Sequence, residues 1–128
     1  MSLQVYQILH MGGFALVFVA LGGMASFALQ SGGAVVAEGG VAPARPKLWA
    51  ILHGLGLVLL LVAGFGALAK LGYKGPPGWA IGKLVIWLLL GATPVIFKRV
   101  PQAAKAAVIA LPLIALGAAA LAVLKPGG

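Results

Sequence analysis

Two histidines are the residues of this sequence best suited to chemistry, and they occupy equivalent positions in two similar segments. The segments ILHMGGFALVFVALGG (8–23) and ILHGLGLVLLLVAGFG (51–66) share eight residues at a constant separation of 43 positions, and His10 and His53 are the only histidines. A histidine inside a membrane segment is by default a functional hypothesis, and imidazole is a common haem ligand. The pair therefore predicts, as one alternative, a b-type haem or quinone site formed by His10 and His53.

The helices that carry these histidines set their relative depth in the membrane. Consecutive helices joined by a short loop run antiparallel, so the two ILH triplets enter the membrane from opposite sides, as in an inverted repeat. With a rise of 1.5 Å per residue and a hydrocarbon core of about 30 Å, His10 and His53 lie about 12 Å apart along the membrane normal. This offset disfavours one shared haem. The alternatives are separate ligands, structural hydrogen bonds to a carbonyl or water, and a similarity that arose by chance between two Leu/Gly/Ala-rich segments.

Composition places the chain in a membrane. Of its 128 residues 62% are hydrophobic, and Glu38 is the only acidic residue. A soluble domain of this length cannot bury so much apolar surface. The net charge of +8 does not indicate nucleic-acid binding, because the basic residues flank apolar runs instead of forming one basic face. The expected partners are anionic lipids and other membrane subunits or a second copy of the chain, with no nucleic acid.

The apolar runs predict an all-α fold, a bundle of four transmembrane helices in a single domain of residues 1–128. An even number of spans puts both termini on the same side. Glycines and prolines predict an irregular first loop, and KGPPG and KRVPQ mark the later turns. The predicted helices cover about 3–29, 48–71, 79–97 and 103–124.

Three lysines on the terminus side form a second candidate site. Lys70 and Lys74 end the second run, and Lys83 lies one turn into the third. Together they predict a basic pocket for a lipid head group or a quinone oxygen, although a lysine near a helix end can also extend to the interface. The charges on the two sides differ by only one, which weakly favours termini outside the cytoplasm, in the periplasm of a bacterial inner membrane.

The sequence offers no catalytic machinery. It has no carboxylate pair, no Ser–His–Asp set and no complete phosphate loop, so no enzyme activity, no catalytic residue and no metal site are predicted. No Asp or Glu lies within a predicted helix, whereas proton-coupled antiporters of this size need one. Small fluoride channels share the length but not the polar pore residues.

Two patterns resemble a known group of proteins. A histidine early in each of the first two helices, together with WAIGKLVIWLLLGATPVIFKR (79–99), resembles the small four-helix SirB-like and CopD-like proteins of the bacterial inner membrane. That resemblance implies a membrane bundle in contact with haem or copper chemistry. The chain departs from the group in having no further histidine and no methionine-rich motif. The function expected overall is an accessory or scaffolding subunit or a homo-oligomer, without its own cofactor; the alternatives are a protein that binds haem b or quinone and a small channel or carrier.

Overall fold

The structure, a computed structural model, describes residues 2–31 and 47–125. Within these ranges the chain forms four α-helices and no strand. The predicted bounds agree with the observed ones within two residues at every helix end. The predicted Gly-rich first loop falls at 32–46, outside the described residues. The helices are α1 (Leu3–Ser31), α2 (Lys47–Lys70), α3 (Gly78–Arg99) and α4 (Ala103–Leu124).

Turn-forming residues end the helices where the sequence places them. After α2 the chain reverses at Gly72, whose φ of +86° is a left-handed conformation that glycine adopts without steric cost. Pro77 then caps α3 in an extended conformation, because a proline needs no hydrogen-bond donor at a helix start. The α3–α4 connection is only three residues long, Val100–Gln102. Both connections therefore force antiparallel neighbours.

All four helices are long and apolar enough to cross a membrane. They alternate in direction, since one cavity is lined by Gln7 near the start of α1, Leu71 beyond α2, Trp79 at the start of α3 and Lys125 beyond α4. The start of α1 and the end of α4 thus lie at one end of the bundle, here called the terminus side. The predicted class, an all-α integral membrane protein with four spans, is confirmed.

The closest helix approach is that of α1 to α2, at the glycines shared by the two similar segments. A Cβ atom on Gly13 would lie 2.9 Å from the Leu60 nitrogen, and one on Gly56 would lie 2.8 Å from the Gly13 oxygen. Real Cβ atoms do not come this close to backbone atoms, so only glycine permits the contact. Close approach through small residues is a main source of helix association in membranes.

The same helix pair repeats its contacts about a local two-fold relation. Trp49 of α2 packs on Gly23 of α1, and Tyr6 of α1 packs on Gly66 of α2. The two contacts are equivalent, because Trp49 lies 43 positions after Tyr6 and Gly66 lies 43 positions after Gly23. Equivalent positions are also buried alike: Ala20 and Ala63 are 0% and 1% exposed, and Val19 and Val62 are 58% and 61% exposed. The inverted similarity read from the sequence therefore corresponds to equivalent contacts in the fold.

The remaining helices close the bundle around this pair. A central cluster of buried side chains draws on all four helices, while the outward faces carry large exposed apolar residues such as Leu55, Ile109 and Val123. Exposed apolar faces are expected of helices that use lipid as solvent. The buried cluster consists of Val17, Leu21, Leu60, Leu90 and Leu111.

Candidate ligand-binding cavity

His53 is a buried residue whose hydrogen bond has a structural cause. Pro94 lacks an N–H group, so the carbonyl of Leu90, four residues earlier in α3, has no helical donor. The Nε2 atom of His53 lies 2.9 Å from that Leu90 oxygen. Because a carbonyl only accepts, Nε2–H donates this bond. Thr93, the residue before Pro94, donates its hydroxyl to the Leu89 oxygen at 2.8 Å and does not serve the freed carbonyl.

His10 makes a different kind of contact. Its Nδ1 atom lies 2.9 Å from the Leu60 oxygen of α2, so Nδ1–H is the donor, and the lone pair of the neutral ring is on Nε2. Leu60 is within a regular helix and has the Gly64 N–H as its usual donor. A Cβ on Gly64 would lie 3.3 Å from the ring, so this glycine makes room for the imidazole. His10 is half-buried, whereas His53 is 7% exposed.

The two histidines lie in different surroundings and at different depths in the bundle. His10 contacts α2 at Leu60, seven residues beyond His53, which corresponds to about 10 Å along the helix. His10 lines a cavity on the terminus side of the bundle, and His53 does not. The arrangement does not bring both rings to one cavity, in keeping with the depth offset expected from the sequence. Use of both histidines as cofactor ligands stays a prediction.

A cavity of about 390 Å³ lies on the terminus side and is bounded by all four helices. Its deeper wall is apolar and includes Phe14, Leu60 and Leu90. On α3, three lining residues are spaced four apart and therefore share one face of the helix: Trp79, Lys83 and Trp87. Its size and apolar lining are those of small-molecule sites.

Polar groups gather toward the outer end of this cavity. Gln7 and His10 line it from α1, Lys83 from α3 and Lys125 from the end of α4. The Lys125 ammonium also lies 5.5 Å from the centroid of the Trp79 ring, within the range of a cation–π contact. Apolar depth and a polar mouth make the cavity amphipathic.

Trp79 contributes an unsatisfied donor to this region. The side chain is 7% exposed, and its buried Nε1 has no hydrogen-bond partner among the described residues. Trp87, two turns later, donates its Nε1–H to the Leu57 oxygen of α2 at 2.9 Å. Trp87 also packs against the central cluster. The unpaired N–H of Trp79 is the exception, since buried polar groups usually have partners.

The three lysines that were predicted to form one basic pocket do not all line this cavity. Lys83 lines the cavity, while Lys70 and Lys74 are exposed and do not. Sequence reasoning missed Lys125 and Trp79 as members of the site. The signal for Lys125 was the short α3–α4 turn, which returns the end of α4 to the start of α3. Among the described residues, no group of three His, Cys, Asp or Glu side chains could hold a metal ion.

Comparison with protein-family models, with curated proteins and with solved structures found no match to this chain. The resemblance to SirB-like and CopD-like proteins therefore stays a prediction.

Proposed function

We propose that this integral membrane protein binds an amphiphilic small molecule in the terminus-side cavity, with an apolar body in the deep part and hydrogen-bond-accepting oxygens at the mouth. Quinones and anionic lipids both meet this description. The observation that carries the proposal is the amphipathic cavity of about 390 Å³. Pockets with mostly apolar walls and a few convergent polar groups are the usual form of ligand sites.

The chemistry of the mouth supports an oxygen-rich head. Trp79 Nε1–H and the Lys83 ammonium are donors only, and both residues line the cavity. The His10 ring adds an acceptor, since its Nδ1–H is already engaged by Leu60. Such a set can receive a quinone carbonyl, a quinol hydroxyl or a lipid head group. A haem held by His10 Nε2 alone is the remaining form of the cofactor hypothesis, because a ligating histidine typically donates its other N–H to a carbonyl.

A role as accessory subunit, scaffold or homo-oligomer is compatible with such binding and stays a prediction. The same holds for a channel or carrier function, a bacterial inner membrane location and periplasmic termini. The cavity makes ligand binding the function with the most specific support.

The test is native mass spectrometry of the protein released from nanodiscs, with a short-chain quinone or an anionic lipid added. Ala122 of α4 lines the cavity, whereas Ala120 on the same helix is exposed and does not. Ala122→Phe should fill the cavity and abolish the bound adduct, and the matched Ala120→Phe should retain it. The proposal fails if neither ligand binds or if both variants bind alike. The mass of the intact assembly reports on partners in the same spectrum.

A further inference from the structure

The cavity mouth carries positive charge from two different helices, and no carboxylate in the ranges 2–31 and 47–125 opposes it. Lys83 and Lys125 both line it, and the described residues include no Asp or Glu, since Glu38 lies outside them. An ammonium inside a membrane protein is costly unless it is paired, and this applies to the half-buried Lys83. Lys125 is exposed at the end of α4, and its like charge at the same mouth repels that of Lys83. An anion placed between them would offset both effects.

The start of α3 adds further donors at the same place. Pro77 caps this helix without a side-chain hydrogen bond, so its positive dipole end is not neutralised by a capping oxygen. Trp79, in the first turn, lines the cavity and has a buried N–H without an acceptor in the part of the chain that the structure describes. If Lys83 simply extended its ammonium to the membrane surface, its own charge would be solvated. The indole N–H of Trp79 would still have no acceptor.

We infer that the head of the ligand is anionic, a phosphate or a carboxylate that accepts from Trp79 and is held between Lys83 and Lys125, with an apolar tail directed toward Phe14 and Leu90. This inference rests on the proposed function and narrows its ligand class. A neutral quinone supplies an acceptor for the indole but no charge for the lysine pair. Charge-assisted hydrogen bonds are about twice as strong as neutral ones, so the head charge determines which amphiphile binds.

The experiment compares amphiphiles that share one tail and differ in head. Lauryl phosphate, lauric acid and lauryl alcohol are titrated into the ¹⁵N-labelled protein in neutral phosphatidylcholine nanodiscs. The readout is the indole N–H resonance of Trp79, assigned with Trp79→Phe. Trp87, whose indole is already bonded to Leu57, and Trp49, which does not line the cavity, serve as internal controls. The two anions should shift the Trp79 resonance downfield at a lower concentration than the alcohol, whose hydroxyl can accept from the indole but brings no charge to the lysine pair. The anion that binds more tightly identifies the head as phosphate or carboxylate.

Matched lysine variants separate the site from general surface charge. Lys83→Met should weaken binding of the anions about tenfold, while Lys70→Met, which removes one exposed charge outside the cavity, should leave it unchanged. Equal binding of all three amphiphiles, or equal loss in both variants, would overturn the anionic head and leave the cavity proposal standing. No response of Trp79 to any amphiphile would overturn this inference, and the native mass spectra then decide separately whether the cavity proposal fails as well.

Discussion

The two similar segments, 8–23 in α1 and 51–66 in α2, form equivalent helix contacts but give their histidines different roles. Their shared glycines, Gly13 and Gly56, approach each other reciprocally. His53 satisfies a carbonyl that a proline has freed on α3, whereas His10 bonds a carbonyl within α2 and lines the cavity. The glycines therefore keep equivalent contacts, whereas the histidines do not: His10 bonds Leu60 of α2, and His53 bonds Leu90 of α3 instead of a carbonyl of α1.

The largest effect is expected at the shared glycines. Gly56→Leu would place a side chain against the backbone of Gly13 and Val17, which cannot move aside without separating α1 from α2. Overpacking of this kind costs about 3 kcal/mol of unfolding free energy, the upper end of its usual range. The measurement is SDS-induced unfolding in mild detergent, followed by circular dichroism.

Gly54→Leu is the matched control, because a Cβ at Gly54 meets nothing within 4 Å. This variant should be as stable as the native protein or more so, since leucine has the higher helix propensity. Equal destabilisation by the two variants would mean that the glycine crossing does not hold α1 and α2 together.

The next effect tests the link between His53 and Pro94. His53→Leu leaves the Leu90 carbonyl buried without a donor, which costs about 2 kcal/mol. Pro94→Ala restores a backbone N–H four residues after Leu90, so the double variant should recover most of that loss. The same unfolding assay on both single variants and the double variant measures this coupling.

Pro112→Ala on α4 serves as the control for that cycle. It also restores a helical N–H, but to the Val108 carbonyl, which has no connection with His53. Pro112→Ala should therefore change the unfolding free energy by the same amount in the native protein and in the His53→Leu variant. Additive behaviour of His53→Leu and Pro94→Ala would contradict the assigned role of His53.

His10 should matter much less for stability. In His10→Leu the Leu60 carbonyl keeps its helical donor, and interhelical hydrogen bonds in membrane proteins contribute about 0.6 kcal/mol on average. The variant should nevertheless lose affinity for the amphiphile in nanodiscs, since His10 lines the cavity and His53 does not. A loss of stability as large as that of His53→Leu would show that the two histidines have the same role after all.

The sequence predicted the helices well because hydropathy and turn residues are local properties. It also predicted the depth offset of the histidines, which depends only on helix length and direction. Of the candidate site residues named from the sequence, Lys83 and His10 line the cavity and Lys70, Lys74 and His53 do not, while Lys125 lines it without having been named. Their roles in binding stay predictions. Which face of α3 and α4 turns inward depends on packing between helices distant in sequence. Pro94 identifies the freed Leu90 carbonyl, but only the fold identifies His53 as its donor.

The smallest effect extends the comparison to two tryptophans on one face of α3. Trp87→Phe removes a hydrogen bond to Leu57 and should cost about 0.6 kcal/mol. Trp79→Phe removes a buried N–H that has no acceptor among the described residues, so in the absence of ligand it should be neutral or slightly stabilising. The same Trp→Phe substitution is made at both positions. The expected changes in unfolding free energy differ because, within the described ranges, only Trp87 has a hydrogen-bond acceptor. With a saturating anionic amphiphile the Trp79 effect should reverse, because the ligand then supplies the acceptor; an unchanged value would place the ligand elsewhere in the bundle.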